Sequence, residues 1–153
     1  RRHRLAERLL TDVIGLDWHL VHEEACRWEH VISTDVERRL VAILDHPVKS
    51  PYGNPIPALE ELDVEPAAEG FLDGTELLSL RLADGQPHEV VVLRMSEHLQ
   101  NDPGMLAQIQ AAGALPGVPV RAAMVGRNLL LGDGDAERVL PGTTAEHVFV
   151  ALD

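Results

Sequence analysis

Apolar positions in the first 62 residues recur at helical spacing, whereas those beyond about residue 75 fall into short runs separated by turns. Leu5, Leu9, Leu10, Val13 and Ile14 form one stripe over residues 1–14, and Gly15 follows as a natural stop. Asp17 is placed to cap a second helix over about residues 18–32. Thr34, with Glu37 three residues later, makes a capping box for a third helix ending near Leu44. Prolines and the turn pair Gly53-Asn54 interrupt regular structure between residues 46 and 57, after which a short helix fits residues 58–62. Residues 63–74 mix Pro66, Gly70 and Gly74 with the acidic Asp63, Glu65, Glu69 and Asp73, the composition of an exposed linker. Beyond it, residues 77–82, 89–94, 118–125 and 129–131 read as strands of a small barrel. One helix interrupts them, with Asp102 as cap and Pro103 at its first position, running to about Ala112 before Gly113. The pattern predicts an α+β chain: an all-helical domain at residues 1–64, a linker at 65–74 and a small β-barrel domain at 75–153.

Composition narrows the class of function. In 153 residues, 45% are hydrophobic, enough for a core, and no stretch approaches the roughly 18 to 20 uninterrupted apolar residues of a membrane span. The start, Arg1 to Arg4, lacks the apolar run of a signal peptide, so the expectation is a soluble cytoplasmic protein. Thirteen basic against 25 acidic residues give a net charge of −12, which disfavours direct contact with nucleic acid. A single cysteine, Cys26, excludes an internal disulfide framework. The first helix is already under way at residue 1 with no cap ahead of it, so a segment upstream is expected.

The second helix carries the candidate chemistry. His22, Cys26, Glu29 and His30 are spaced four, three and one residues apart, which puts all four within an arc of roughly 100° on one helical face. On the first helix His3 and Glu7 stand one turn apart, a second pair of possible ligands. Imidazole and thiolate donors suit first-row transition ions and not Mg²⁺ or Ca²⁺. Any one such residue on a helix is ordinarily packing or solvated, but the cluster makes a poor apolar seam and points to a metal. A metallohydrolase is the rival, yet His22-Glu23-Glu24-Ala25-Cys26 lacks the second histidine of the His-Glu-x-x-His helix. No Gly-x-Ser-x-Gly elbow or phosphate-binding glycine loop is present, so neither an enzyme nor a small-molecule substrate is expected. A metal-independent alternative stays open, in which the helices dimerise, the small barrel binds a peptide and the His and Cys residues are incidental.

The segment RRHRLAERLLTDVIGLDWHLVHEEACRWEHVISTDVERRLVAIL, followed by SPYGNPIPALEEL, closely resembles the diphtheria toxin repressor family, which includes the mycobacterial-type iron-dependent regulators. The likeness is dense over residues 1–62 and thinner beyond, where Glu97-His98-Leu99-Gln100 and MLAQIQAAGALPG look like the family's SH3-like domain. The resemblance implies an Fe²⁺-dependent repressor with two metal sites per subunit, Co²⁺, Ni²⁺, Zn²⁺ or Mn²⁺ serving as substitutes. Its ancillary site maps onto His3, Glu7 and His22, with Glu97 and Gln100 supplied by the SH3-like domain. Its primary site maps onto Cys26, Glu29 and His30 and is completed in the family by a methionine of an N-terminal helix-turn-helix domain that this sequence does not contain. The family's anion pocket maps onto Arg4, Ser50 and Asn54. A thiolate at position 26 points to iron, since manganese-sensing relatives carry a carboxylate there. The resemblance further implies an isologous homodimer through the helices before residue 62, binding operator DNA only through the N-terminal domain, with metal as corepressor. Trp18 and Trp28 are expected in the core or the dimer interface.

Overall fold

In the computed structural model of this chain, which describes residues 1–68 and 70–153, contacts group the residues into two units, Arg1–Phe71 and Leu72–Asp153. Glu69, one of the acidic residues of the expected linker, lies outside the described residues.

The first unit is helical. Helix α1 spans Arg2–Leu9 and runs into a wider π turn, Leu10–Ile14, which Gly15 closes in the left-handed region at φ 76°, a conformation glycine adopts without steric cost. The wider turn breaks the helical stripe. Leu5 and Leu10 are buried, but Val13 and Ile14, which the spacing assigned to the same face, are 57% and 52% exposed.

Trp18–Leu20 form a single 3₁₀ turn leading into α2, Val21–Trp28. The Asp17 side chain makes no capping hydrogen bond. Its place is taken by Tyr52, whose buried hydroxyl accepts from the His22 backbone N–H at 3.2 Å and donates to the Trp18 carbonyl at 2.6 Å. Helix α2 stops at Trp28, four residues before the expected end at Ile32. The cause is local: the Val31 N–H closes a tight turn on the Trp28 carbonyl at 3.1 Å, and Ser33 must be extended to start the next helix. Ser33, not Thr34, is the cap of α3, Thr34–Ile43; its hydroxyl accepts from the Val36 N–H at 3.3 Å. With Ser33 as cap the third position is Val36, so the expected capping box does not form, and the fully buried Glu37 carboxylate pairs instead with Arg1 and Arg2.

Leu5, Leu10, Val21, Ala25, Leu40, Val41, Ile56, Leu59 and Leu62 form the core of this unit. Each large member contributes about 1.5–3 kcal/mol relative to exposure. Trp18 is buried too, as expected, with its indole N–H donated to the Pro51 carbonyl at 3.1 Å. The C-terminal part of the unit is a loop closed by a Lys49–Pro55 bridge, followed by a 3₁₀ turn at Leu59–Leu62.

The second unit is built on a six-stranded antiparallel sheet of order β1-β6-β2-β3-β4-β5. Its strands are Thr75–Leu77, His88–Met95, Pro119–Val125, Asn128–Leu131, Arg138–Pro141 and Val148–Ala151, numbered β1 to β6. The expected strand over residues 77–82 is corrected: only Leu77 belongs to β1, and Leu78–Arg81 is a short helix, α4. Leu78 and Leu82 are buried while Leu80 is 63% exposed, a four-residue period in which a strand would have buried all three. Helix α5, Glu97–Gln100, is capped by the Ser96 hydroxyl. Helix α6, Pro103–Ala111, starts as expected, with the Asp102 carboxylate accepting from the Met105 N–H at 2.9 Å. Val90, Val92, Met95, Val120, Ala122, Leu129, Leu131, Leu140, Val148 and Val150 fill the inner face of the sheet. Among the described residues no helix is long and apolar enough to cross a membrane.

Candidate metal centre

Helix α1 presents His3 and Glu7 one turn apart toward the start of α2, where His22 lies on the facing turn. His3 Nε2 is 3.0 Å from His22 Nδ1 and 3.3 Å from Glu7 Oε1, and His22 Nδ1 is 3.6 Å from Glu7 Oε2. Glu7 is 1% exposed and His22 6%, so the three donors converge in a nearly dry place. Among the described residues Glu7 Oε2 has no hydrogen-bond donor, an unusual state for a buried carboxylate oxygen and one that a cation would relieve. Two nitrogens that share an ion at about 2.1 Å each stand about 3.0–3.4 Å apart, depending on the bite angle, so the imidazole spacing suits a common ion. The His3 and His22 rings meet edge to face, with centroids 4.6 Å apart and planes at 63°.

Charge distribution supports the same view. Burial alone would lower the His3 pKa, but hydrogen bonding to Glu7 and the charges of Glu7 and Glu29 outweigh it and raise the imidazole above its ordinary value. Burial alone would raise Glu7, but the adjoining imidazoles of His22 and His3 and their charges hold its carboxyl below the usual range. Tyr52, which ties the 50–55 loop to the start of α2, is pushed up first by burial and then by the Glu7 charge. It is the chain's single tyrosine, and its role was missed by sequence reasoning; the only signal was its position between Pro51 and Gly53 in the SPYGN turn.

The second expected ligand group is arranged differently. Cys26 is half-buried on α2, with Sγ 3.8 Å from His22 Nε2, so the His22 ring stands between the thiol and the His3–Glu7 pair. Donor atoms of His3, His22 and Cys26 all lie within 4.8 Å of one another. Glu29 is the C-terminal cap of α2, its backbone N–H still bonded to the Ala25 carbonyl at 2.9 Å. Its side chain reaches back to α1, with Oε2 2.9 Å from His3 Nδ1. His30 has left the helix. Its side chain is 77% exposed and Nε2 stands 3.6 Å from Glu29 Oε1, so the expected single face of four ligands holds for His22, Cys26 and Glu29 but not for His30.

Arg4 donates from Nη1 to the Pro55 carbonyl, which brings the guanidinium to the 50–55 loop. In that loop the buried Ser50 hydroxyl accepts from the backbone N–H groups of Tyr52 and Asn54, each at 3.3 Å, and Asn54 is 1% exposed. Glu97 and Gln100 belong to the second unit. Glu97 is exposed on α5, and the buried Gln100 donates its side-chain amide to the Met95 carbonyl at 3.0 Å.

Residues 1–58 match the family described as iron dependent repressor, metal binding and dimerisation domain. The chain is 54% identical over 121 residues to the iron-dependent repressor IdeR of Mycobacterium tuberculosis (strain ATCC 25618 / H37Rv), covering 78% of this chain and 52% of that protein. It is 44% identical over 153 residues to the IdeR of Mycobacterium leprae, covering 98% of this chain and 66% of that protein. Among solved structures, a manganese-dependent transcriptional repressor in complex with manganese superposes with a TM-score of 0.74 at 26% identity, over 99% of this chain and 68% of that one. The chain spans about half the length of several curated relatives it matches. Both units thus have counterparts in these repressors, and the chain belongs to the diphtheria toxin repressor family of iron-dependent regulators.

Proposed function

We propose that this chain is the metal-sensing and dimerising part of an Fe²⁺-dependent transcriptional repressor. The observation that carries the reading is the buried His3–Glu7–His22 triangle, with its convergent donors and an unsatisfied carboxylate oxygen. These three residues would hold one ion. Cys26, Glu29 and His30 would supply only part of a second site, which in the family is completed by a methionine of an N-terminal domain. A bound ferrous ion supplies a charge around which donors from separate elements gather, which favours one arrangement of those elements over others. The chain's own residues do the rest: α1 and α2 fix His3, Glu7 and His22 in register, and Tyr52 anchors the turn of α2 that carries His22. The Cys26 sulfur favours iron over manganese, because thiolates select softer ions. Arg4, Ser50 and Asn54 would bind an anion beside the first ion. The acidic balance of 25 to 13 agrees with operator contacts being made by a separate domain, in a two-fold homodimer that matches a palindromic operator.

Anaerobic calorimetric titration with Fe²⁺, and with Co²⁺ as an air-stable substitute, tests the reading. One equivalent bound per chain and lost in His22→Ala is expected. At about 100-fold excess over Kd, the ion should add about 2.7 kcal/mol to stability and raise Tm by several degrees. Absence of both binding and a Tm shift would overturn the reading.

A further inference from the structure

Glu29 occupies an unexpected place for a residue whose spacing groups it with Cys26 and His30. Its carboxylate leaves the end of α2 and meets the first turn of α1, where Oε2 lies 2.9 Å from His3 Nδ1. His3 is only 17% exposed at its side chain, and its other nitrogen faces Glu7 and His22 at 3.3 and 3.0 Å. A neutral imidazole carries its proton on one nitrogen and its lone pair on the other, and the hydrogen-bond partner decides which. Both nitrogens face a carboxylate, Nδ1 Glu29 at 2.9 Å and Nε2 Glu7 at 3.3 Å; the shorter contact holds the proton of the neutral ring on Nδ1 and leaves the Nε2 lone pair directed at the other donors. Carboxylate–histidine pairs of this kind orient metal-binding imidazoles in many proteins.

We propose that Glu29 is a positioning residue for the His3–Glu7–His22 set, fixing the tautomer and ring orientation of His3 from behind. The inference rests on the metal-sensing reading and goes further, because the resemblance assigns Glu29 to the other ligand group. The second carboxylate oxygen, Oε1, is 3.6 Å from His30 Nε2. One side chain therefore stands between the two groups of donors, so that any ion drawing on Glu29 also acts on His3. By linkage the two affinities then depend on each other. An ordinary surface ion pair would neither select a tautomer nor connect the groups.

The test compares wild type, Glu29→Gln and Glu29→Ala in two measurements on the full chain. The first is the ¹⁵N chemical shift pattern of the His3 ring in metal-free protein at alkaline pH, where the imidazole is neutral. Wild type is expected to hold the Nδ1–H form and Glu29→Ala to show a mixture. The second is Co²⁺ titration. Glu29→Ala should weaken the His22-dependent site about 10- to 100-fold, and Glu29→Gln, whose amide oxygen still accepts, should weaken it less. Unchanged tautomer and affinity in Glu29→Ala would overturn this inference alone. A loss in Glu29→Gln as large as in Glu29→Ala, with the tautomer unaltered, would mark Glu29 as a direct ligand and overturn it too. If wild type shows no His22-dependent binding, the metal-sensing reading itself fails.

Discussion

At the scale of single residues, His3 governs how protons and metal compete. With Glu29 at Nδ1 and Glu7 at Nε2, the protonated ring is satisfied on both sides, and its pKa is raised. The stability this contributes is fully present below the ordinary histidine pKa and is lost as pH rises through the higher folded value. Glu7 behaves oppositely: its lowered pKa contributes stability above the ordinary carboxylate range that is lost as pH falls through the folded value. The cluster therefore stabilises the metal-free protein most between these two limits. A metal needs the same Nε2 lone pair that the proton holds, so binding must expel it. Co²⁺ titrated near neutral pH in buffers of different ionisation enthalpy should show net proton release. Affinity should climb about tenfold per pH unit until His3 is neutral and then level off. No proton release, with a flat affinity, would mean that His3 is not a ligand. His3, Glu7, His22 and Cys26 were legible in the sequence because residues four apart share a helical face. Tyr52 was not, because its partners His22 and Trp18 lie 30 and 34 residues away.

At the scale of elements, the tie between α1 and α3 decides how firmly the ligand-bearing helix is held. Glu37 on α3 is fully buried and accepts from the guanidinium groups of Arg1 and Arg2 at the start of α1. Burial alone would raise its pKa, but the hydrogen bonds and charges of the two arginines hold it low. Removing the charge deprives both arginines of this ionised acceptor, although Arg1, 14% exposed, keeps Glu61 and the Ala58 carbonyl. Glu37→Gln should therefore cost about 2–4 kcal/mol, less than a fully buried pair because Arg2 is 45% exposed. Urea unfolding followed by tryptophan fluorescence reads this unit alone, since both tryptophans, Trp18 and Trp28, belong to it. A change below about 0.5 kcal/mol would show that the tie is not stabilising. The same contact explains why the capping box misled. Ser33 and Thr34 can both cap a helix but only Thr34 has a glutamate three residues on, and the Glu37 carboxylate pairs with Arg1 and Arg2 instead of the helix start. The end of α2 and the helix at residues 78–81 were illegible for a related reason: both depend on turns closed by backbone hydrogen bonds, which leave little trace in apolar periodicity.

At the scale of the whole molecule, the exposed apolar side chains of the first unit bear on how copies of the chain associate. Val31 is 82% exposed, Ile43 63%, Val13 57%, Ile14 52% and Val36 46%. Val36 and Ile43 are seven residues apart and so stand on one face of α3. Scattered single residues of this kind need no explanation, but several in one small helical unit whose family is described as a dimerisation domain do. The His3–Glu7–His22 triangle lies within one chain, so subunit association and ion binding can be separated experimentally. In a two-fold interface each substitution appears twice, so an arginine placed there meets its own copy or a nearby one. Val36→Arg with Ile43→Arg should therefore shift the sedimenting species from a dimer to a monomer of 16.8 kDa, adjusted for the two substitutions. Co²⁺ binding that depends on His22 should survive in that monomer. A variant that remains dimeric would move the interface away from this face of α3. A monomer that also loses the ion would show that the triangle is held in shape by the partner subunit, making dimerisation a condition of sensing and not only of operator recognition.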